Sequence, residues 1–320
     1  MRKRMMLGYL VGVISLYFAF RGMSFRQLAQ ALTQAKAGWI LLAITLYVID
    51  YFVRSIRWAV LIKPIRTIPA QALYWPLLIG FFANNVLPLR MGEFVRAHIC
   101  GTKFKISRTA SLGTILIERI FDTLSFLTTF LIVALIYPFP RFVEKGAIAL
   151  GVACFGVIAT LLLIRKHENR FHQLLERLGL PSAWKSRVRD ITTHFLHSIS
   201  GITRPRYLAE AMALSLTVWI MEGTFIFLMA RAFTLPLLYA QSFFLLFVLG
   251  LSVTLPQAPG AVGTFEFFGV MALSFVGIAK EQALPLILAI HGTQFIFIAA
   301  LGMIGLWKEG LTFRSLTSTS

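Results

Sequence analysis

The ionisable side chains that lie inside apolar stretches of this chain are the residues best placed to do chemistry. Helical spacing puts Glu118 and Asp122 on one helix face, with Arg119 within reach of Asp122. An ionisable side chain in a membrane helix costs about 2.5–3.5 kcal/mol on insertion scales, so it usually marks a pathway or an ion pair. The pattern fits an internal ion pair that lets the helix insert. It equally fits a net negative site for a cation, a proton or a lipid headgroup.

Two apolar segments are interrupted by proline and glycine, and each reaches a glutamate. The first contains Asn84, Asn85, Pro88, Arg90, Gly92 and Glu93, and the second contains Pro256, Gln257, Pro259, Gly260, Gly263 and Glu266. Lipid cannot satisfy the backbone groups that such breaks set free, so these segments must be buried in protein or line a wet cavity. Paired broken segments in the two halves of a membrane protein indicate a transport site.

The first broken segment has the chemistry to bind phosphate. The amides of Asn84 and Asn85 lie at the break, and Arg90 beside it is interpreted as a bidentate phosphate ligand. Arg96 is interpreted instead as a cytoplasmic charge anchor. Gln257 and Glu266 have the matching positions in the second segment, which has no arginine, so the two segments differ in charge.

Secondary candidates lie on the neighbouring helices. Asp50, Arg54 and Arg57 follow one helical stripe. We interpret Asp50 as a partner of Arg54, and Arg54 and Arg57 as the end of the helix at the cytoplasmic interface. Glu222 is a further candidate. His291 is either a hydrogen-bonded packing residue or a member of the site.

The spacing of these groups suggests an internal duplication. Asp50, Glu93 and Glu118 are separated by 43 and 25 positions, and Glu222, Glu266 and His291 by 44 and 25. Each set places one ionisable group on a full helix, one at a broken segment and one on the following helix. The match predicts that residues 38–137 and 208–307 are inverted repeats.

Composition and charge placement indicate an integral membrane protein. Of the 320 residues 58% are apolar, and the net charge of +18 gathers in short connections. That is the pattern of cytoplasmic loops facing anionic lipid, so we expect contact with anionic lipid at that face and no nucleic-acid binding. Cys100 and Cys154 lie far apart in sequence and predict neither a disulfide framework nor a metal site.

The predicted fold is an all-α polytopic membrane protein with about six full transmembrane helices and two re-entrant helical hairpins, at 70–100 and 240–279. Residues 1–320 form a single integral membrane domain, and both termini are expected in the cytoplasm. The N-terminal apolar run is interpreted as a retained helix rather than a cleaved signal peptide. Residues 165–206 show an amphipathic spacing typical of a helix lying in the cytoplasmic headgroup plane.

Four motifs in order resemble a known family. They are the Arg54-Ser55-Ile56-Arg57-Trp58 helix end, the Asn85 to Glu93 hairpin, the Glu118-Arg119 and Asp122 helix, and the Pro256 to Glu266 hairpin. Together they resemble the flippase-like membrane family found in the membrane portion of lysylphosphatidylglycerol synthases, over about residues 5 to 310. The resemblance implies a protein of the bacterial cytoplasmic (inner) membrane that moves a lipid between leaflets. No aminoacyltransferase domain follows the last helix, so we do not expect synthesis of the lysyl lipid.

The leading functional hypothesis is a flippase for a phospholipid or a polyprenyl-linked lipid, with a phosphate-bearing membrane lipid as its ligand. No catalytic motif is recognisable, so we expect no enzyme activity, no cofactor and no metal. One alternative is a membrane-embedded enzyme or accessory subunit of glycolipid or envelope biosynthesis, working beside other enzymes of that pathway. A second is an ion-coupled solute transporter. Lipid identity, direction, coupling ion and homo-oligomerisation stay open.

Overall fold

The computed structural model describes residues 2–87, 91–138, 141–167, 205–253 and 258–312, together with residues 173, 176, 181, 184–186 and 189 between them. Several predicted residues lie outside these ranges: Pro88, Arg90, Pro256 and Gln257, and most of the amphipathic segment 165–206. Within the described part of the chain the regular secondary structure is entirely helical. The helices are α1 (Arg2–Phe20), α2 (Phe25–Thr33), α3 (Ala37–Ile62), α4 (Ala70–Val86), α5 (Gly92–Phe104), α6 (Arg108–Ala134), α7 (Arg141–Lys166), α8 (Pro205–Ala232), α9 (Tyr239–Ser252), α10 (Thr264–Phe275) and α11 (Lys280–Lys308).

Three of these helices are long and apolar enough to cross a membrane among the residues described, namely α3, α8 and α11. Large apolar side chains such as Val13, Val152 and Ile296 are more than half exposed, as expected for surfaces that face lipid. The fold is thus all-helical and of the membrane type. The count of six full spans and the re-entrant course of the hairpins stay predictions.

Local sequence explains several helix ends. The Ser107 side chain accepts a hydrogen bond from the amide of Ala110 at 3.4 Å and caps α6. Lys105, at the end of α5, adopts the left-handed conformation with φ of 50° and ψ of 46°, which ends the helix and allows a tight turn into α6.

The chain contains two series of four helices in the same order: a long helix, two short helices and a second long helix. The first helices of the two series, α3 and α8, form the central pair. In the first half α3, α4, α5 and α6 pack consecutively, and in the second half α8, α9, α10 and α11 do the same. The halves also meet reciprocally, because α4 packs on α11 and α9 packs on α6. This arrangement is the one that an inverted duplication would produce, although the duplication itself is a prediction from spacing.

The two predicted hairpins turn at positions where glycine is required. Between α4 and α5, Gly92 approaches Gly80 so closely that a Cβ on Gly92 would lie 1.9 Å from the Gly80 carbonyl oxygen. Between α9 and α10, Gly260 and Gly263 have φ of +70° and +91°, values that favour glycine. A 3₁₀ turn over Pro259–Ala261 packs against α4, so the turn of one hairpin lies beside the other hairpin.

We expect Gly92→Ala to destabilise the protein by about 1–3 kcal/mol or more, because the new methyl group must displace backbone rather than a flexible side chain. The measurement is the thermal unfolding midpoint in detergent. Gly38→Ala is the matched control, because a Cβ at Gly38 meets no atom within 4 Å. Equal midpoints for the two variants would contradict the close approach of α4 and α5.

Candidate functional site

Arg54 joins the two central helices through a pair of carboxylates. Its Nε donates to Asp50 Oδ2 at 2.6 Å, one turn earlier on α3, and its Nη2 donates to Glu222 Oε1 on α8 at 2.6 Å. The predicted Asp50–Arg54 pair is therefore present. Asp50 and Glu222 were matched by the repeat spacing, and the structure brings both to the same guanidinium.

Glu118 is surrounded by arginines from three helices. Arg96 of α5 donates to both of its oxygens, at 3.0 and 2.7 Å, and Arg119 donates to Oε1 at 2.9 Å. Arg57 of α3 lies 3.2 Å from the same oxygen. The side chains of Arg57 and Glu118 are fully buried. Glu118 therefore compensates several positive charges, as the internal ion-pair interpretation of this helix expects.

Arg57 also binds Asp122, the second acidic residue of α6. Its Nη1 donates to Asp122 Oδ1, and the same nitrogen donates to the hydroxyl of Ser215 on α8 at 2.9 Å. Arg57 thus ties α3 to both α6 and α8. This contradicts the interpretation of Arg54 and Arg57 as the interfacial end of a helix, since both side chains are buried between helices.

Arg96 was interpreted from sequence as a cytoplasmic anchor, and this is also wrong. Its side chain is buried, and the guanidinium lies 3.7 Å from the centroid of the Trp58 ring, a cation–π contact. The indole nitrogen of Trp58 donates to Thr114 Oγ1 at 3.0 Å, which fixes the ring. The planar guanidinium of Arg96 is thus stacked on an aromatic ring and paired with both oxygens of a carboxylate, a geometry that lysine cannot reproduce.

Arg119 is the most exposed of these arginines. Its side chain is 37% exposed, whereas those of Arg54, Arg57 and Arg96 are 9% exposed or less. It lies 3.4 Å from Asp122 Oδ2 and 3.7 Å from Glu93 Oε1, in addition to its bond with Glu118. We call the whole group the arginine cluster: Arg54, Arg57, Arg96 and Arg119 with Asp50, Glu93, Glu118, Asp122 and Glu222.

The arginine cluster has hydrogen-bonding capacity left over. The buried Nε atoms of Arg57, Arg96 and Arg119 have no hydrogen-bond partner among the described residues, and neither does Asp50 Oδ1. A small pocket at the junction of α4 and α5 is lined by Gly80, Phe81, Asn84, Gly92, Glu93, Arg96 and Arg119. Buried donors that lack a partner call for a ligand or water. Since the unpaired donors are cationic, the pocket suits an anion.

The two asparagines at the first break make different contacts, Asn84 through its side chain and Asn85 through its backbone carbonyl. Asn84 Oδ1 accepts a hydrogen bond from the backbone amide of Gly92 at 2.8 Å and so joins α4 to the start of α5 across the break. Asn84 therefore shapes the pocket that it lines. Its neighbour Asn85 lies against the second hairpin, where its carbonyl oxygen would be 3.8 Å from a Cβ on Gly260.

The candidates of the second half form a separate group. His291 Nδ1 lies 2.6 Å from Glu266 Oε1, and His291 Nε2 lies 2.8 Å from the carbonyl oxygen of Gly260. The other oxygen of Glu266 accepts from the Gly263 amide at 2.7 Å. Phe265 stacks on the imidazole with ring centroids 4.4 Å apart. His291 is therefore hydrogen-bonded within a defined polar group that contains Glu266 and the Gly260 carbonyl.

Sequence reasoning missed two contributors to the site. Arg96 had a detectable signal, because it follows Glu93 on an otherwise apolar helix face, but its partner Glu118 lies on another helix. Ser215 had no signal, since a serine in an apolar helix is common. In the part of the chain that the structure describes, no three His, Cys, Asp or Glu side chains come together as metal ligands.

We expect Arg57→Met to destabilise the protein by about 3–5 kcal/mol, because Asp122 and part of the charge of Glu118 lose their buried partner. The unfolding midpoint in detergent reports the effect. Arg57→Met combined with Asp122→Asn should recover part of the loss, because it removes the uncompensated carboxylate. The control is Arg231→Met, whose exposed side chain lies over Phe227 and should change the midpoint little. A midpoint for Arg57→Met equal to that of the control would contradict the structural role assigned to Arg57.

The chain is similar in sequence to several known proteins. Two membrane proteins of the UPF0104 group from Methanothermobacter thermautotrophicus are similar to the chain, one 22% identical over 92% of each chain and the other 26% identical over 84% of this chain and 83% of the relative. The glycosyltransferase AglD of Haloferax volcanii is 22% identical over 90% of this chain, which spans only 51% of AglD.

These relatives are archaeal, so the bacterial inner membrane and the cytoplasmic location of both termini stay predictions. A multi-pass membrane location is supported by the family and by the apolar helices. The family model for the transmembrane region of lysylphosphatidylglycerol synthases matches residues 5–302, which include every described residue of the arginine cluster and of the Glu266–His291 group. The chain belongs to the lysylphosphatidylglycerol synthase transmembrane-region family.

Proposed function

We propose that this protein is a flippase that moves a phosphate-bearing lipid, either a phospholipid or a polyprenyl-linked lipid, between the two leaflets of its membrane. The observation that carries the proposal is the pocket at the first break. It is lined by Arg96 and Arg119, whose buried Nε atoms have no hydrogen-bond partner among the described residues. We further propose that the protein has no catalytic activity of its own.

Arg119 is the residue we assign to first contact with the lipid phosphate. It is the one member of the arginine cluster whose guanidinium combines substantial exposure with a position at the pocket. Its Nη2 donates to Glu118 at 2.9 Å, whereas its contacts with Glu93 and Asp122 are longer, at 3.7 and 3.4 Å. A phosphate oxygen would displace these two longer contacts. Arginine binds such an oxygen pair through two parallel hydrogen bonds.

The other arginines hold the helices around the pocket in place and do not bind the phosphate directly. Arg57 and Arg96 are each held by a buried carboxylate, and removing either partner would expose an uncompensated charge. They therefore stay in place while Arg119 changes partner. We propose Arg90, which lies outside the described residues and close in sequence to this pocket, as a second phosphate ligand.

The meeting of the two hairpins supports a path for the headgroup. The Pro259–Ala261 turn packs against α4, close to Asn85 at the first break. Non-helical backbone at this depth is tolerated when it is buried in protein or lines a polar cavity. A headgroup that follows the polar junction can leave its acyl chains in the surrounding lipid.

We expect Arg119→Gln, and separately Arg90→Ala, to slow lipid transfer by about tenfold or more, since a hydrogen bond to a charged group is worth roughly 1.5–3 kcal/mol. The measurement is the reduction of fluorescent phospholipid by dithionite in proteoliposomes that contain the purified protein. Arg231→Gln is the control, because its exposed side chain lies away from the pocket. Transfer at the wild-type rate in both variants, with equal amounts of folded protein, would overturn the residue assignment.

A second candidate function is a membrane-embedded enzyme or accessory subunit of glycolipid synthesis. The similarity to a region of the glycosyltransferase AglD favours it. The two functions differ in the fate of the lipid, because a flippase leaves its lipid chemically unchanged. We expect the mass spectrum of a polyprenyl-phosphate lipid, incubated with purified protein and a sugar donor, to show no new species. A product of increased mass would favour the second candidate.

A further inference from the structure

His291 lies between two hydrogen-bond acceptors. Its Nδ1 is 2.6 Å from a carboxylate oxygen of Glu266, and its Nε2 is 2.8 Å from the Gly260 carbonyl oxygen. A carbonyl oxygen only accepts, and a neutral imidazole carries a single N–H. Both contacts can therefore be favourable together only if the Glu266–His291 pair holds one extra proton. That proton is either on the imidazole, giving an imidazolium beside a carboxylate, or on Glu266, giving a carboxylic acid beside a neutral imidazole.

The surroundings of the pair keep this arrangement in place. The side chains of His291 and Glu266 are 13% and 4% exposed. The second oxygen of Glu266 accepts from the Gly263 amide, and Phe265 covers the face of the imidazole. The pair therefore holds the Gly260 carbonyl at one end and the Gly263 amide at the other. These two contacts fix the turn that contains Pro259–Ala261.

We propose that Glu266 and His291 form a proton-binding site, and that loss of the shared proton releases the Pro259–Ala261 turn from His291. The inference concerns the site itself, and its consequence for lipid transfer rests on the function proposed above.

After the pair has lost its shared proton to water, the remaining imidazole proton of His291 can be on either ring nitrogen. Comparing these two arrangements gives the direction of the pH effect on the turn. If the remaining imidazole proton is on Nδ1, the bond to the Glu266 carboxylate persists, but the lone pair of Nε2 then faces the Gly260 carbonyl. If the proton is on Nε2, the Nδ1 lone pair faces a full carboxylate charge at 2.6 Å, which is more repulsive. The first arrangement is favoured, and it gives up the bond to Gly260. The turn is thus held at low pH and released as the pH rises.

No other titratable group in the described part of the chain contacts His291. On α10, on α11 and on the elements packed against them, the remaining ionisable side chains have other contacts or are exposed. Lys280 donates to the carbonyls of Phe18 and Arg21, and Lys308 lies over Trp75. On α8, Glu222 binds Arg54, Arg206 binds Glu210, Tyr207 contacts Lys63 and Arg231 lies over Phe227. Tyr74 packs on Trp75, Tyr17 on Phe18 and Tyr239 on Phe243, while Arg26 and Glu281 are exposed. The pH dependence of the turn is therefore assigned to the Glu266–His291 pair.

Release of the turn would act on the junction between the two hairpins. The turn packs against α4, where the Asn85 carbonyl is near Gly260. A proton bound by Glu266 and His291 would thus control how the turn packs on α4. In this way it would affect the junction through which a headgroup passes. The proposed role of the second hairpin is therefore proton binding, which does not require an arginine.

The test is hydrogen–deuterium exchange of the peptide spanning residues 258–267 in the full-length protein in detergent, from about pH 5.5 to about pH 8.5. Rates are corrected for the intrinsic pH dependence of amide exchange. In the wild type we expect the protection factors of this peptide to fall by about tenfold or more as the pH rises, because the opening of a local segment sets exchange. Unchanged protection across this range would overturn the proposal.

Substitutions sharpen the test. Glu266→Gln should keep the turn protected at every pH, because the Gln amide nitrogen donates to Nδ1, its oxygen accepts from Gly263, and neutral His291 donates to Gly260. His291→Ala should leave the turn unprotected at every pH. His98→Gln, on α5 and away from the turn, should keep the wild-type profile. A Glu266→Gln profile that still falls with pH would overturn the proposal. Exchange is measured without lipid transfer, so a failed transfer assay bears on the proposed function alone.

Discussion

The need to compensate buried arginines governs how this molecule is assembled. A charge removed from water costs several kcal/mol even after relaxation, so each guanidinium needs a well-placed carboxylate. Glu118 on α6 forms ion pairs with both Arg57 of α3 and Arg96 of α5, and these pairs fix the three helices relative to one another. Arg54 does the same for α3 and α8 through Asp50 and Glu222. The core is therefore held by ion pairs as well as by apolar packing.

The two halves share a helix order but have different chemistry. The offset that aligns Glu93 with Glu266 places Gly269 where the first half has Arg96, and Gly292 where it has Arg119. In the first half an arginine–carboxylate pair joins the shorter helix α5 to the long helix α6, and in the second half the Glu266–His291 pair joins α10 to α11. The first half thus contains arginine–carboxylate pairs, and the second a histidine–carboxylate pair.

Much of the fold could be predicted from the sequence because its signals are local. Apolar runs, together with proline and glycine at the breaks, located the helix pairs α4–α5 and α9–α10, and the four-residue step from Asp50 to Arg54 predicted their ion pair correctly. Pairings between distant segments could not be predicted in this way. Arg96 and Glu118 are both visible in the sequence, but nothing local indicates that they face each other, and the positive-inside rule assigned Arg96 to the interface.

The sequence by itself determined the membrane class, the all-helical fold and the family, because these depend on composition, periodicity and ordered short motifs. Only the tertiary structure decided which charges are neutralised and which retain an unsatisfied donor. Glu118 is the partner of several arginines only because three helices pack together around it. The protonation requirement at His291 also appeared only when Gly260 and Glu266 were brought to opposite nitrogens of one ring. Charge compensation and hydrogen-bond direction are properties of the packed structure, whereas hydrophobicity is a property of the chain.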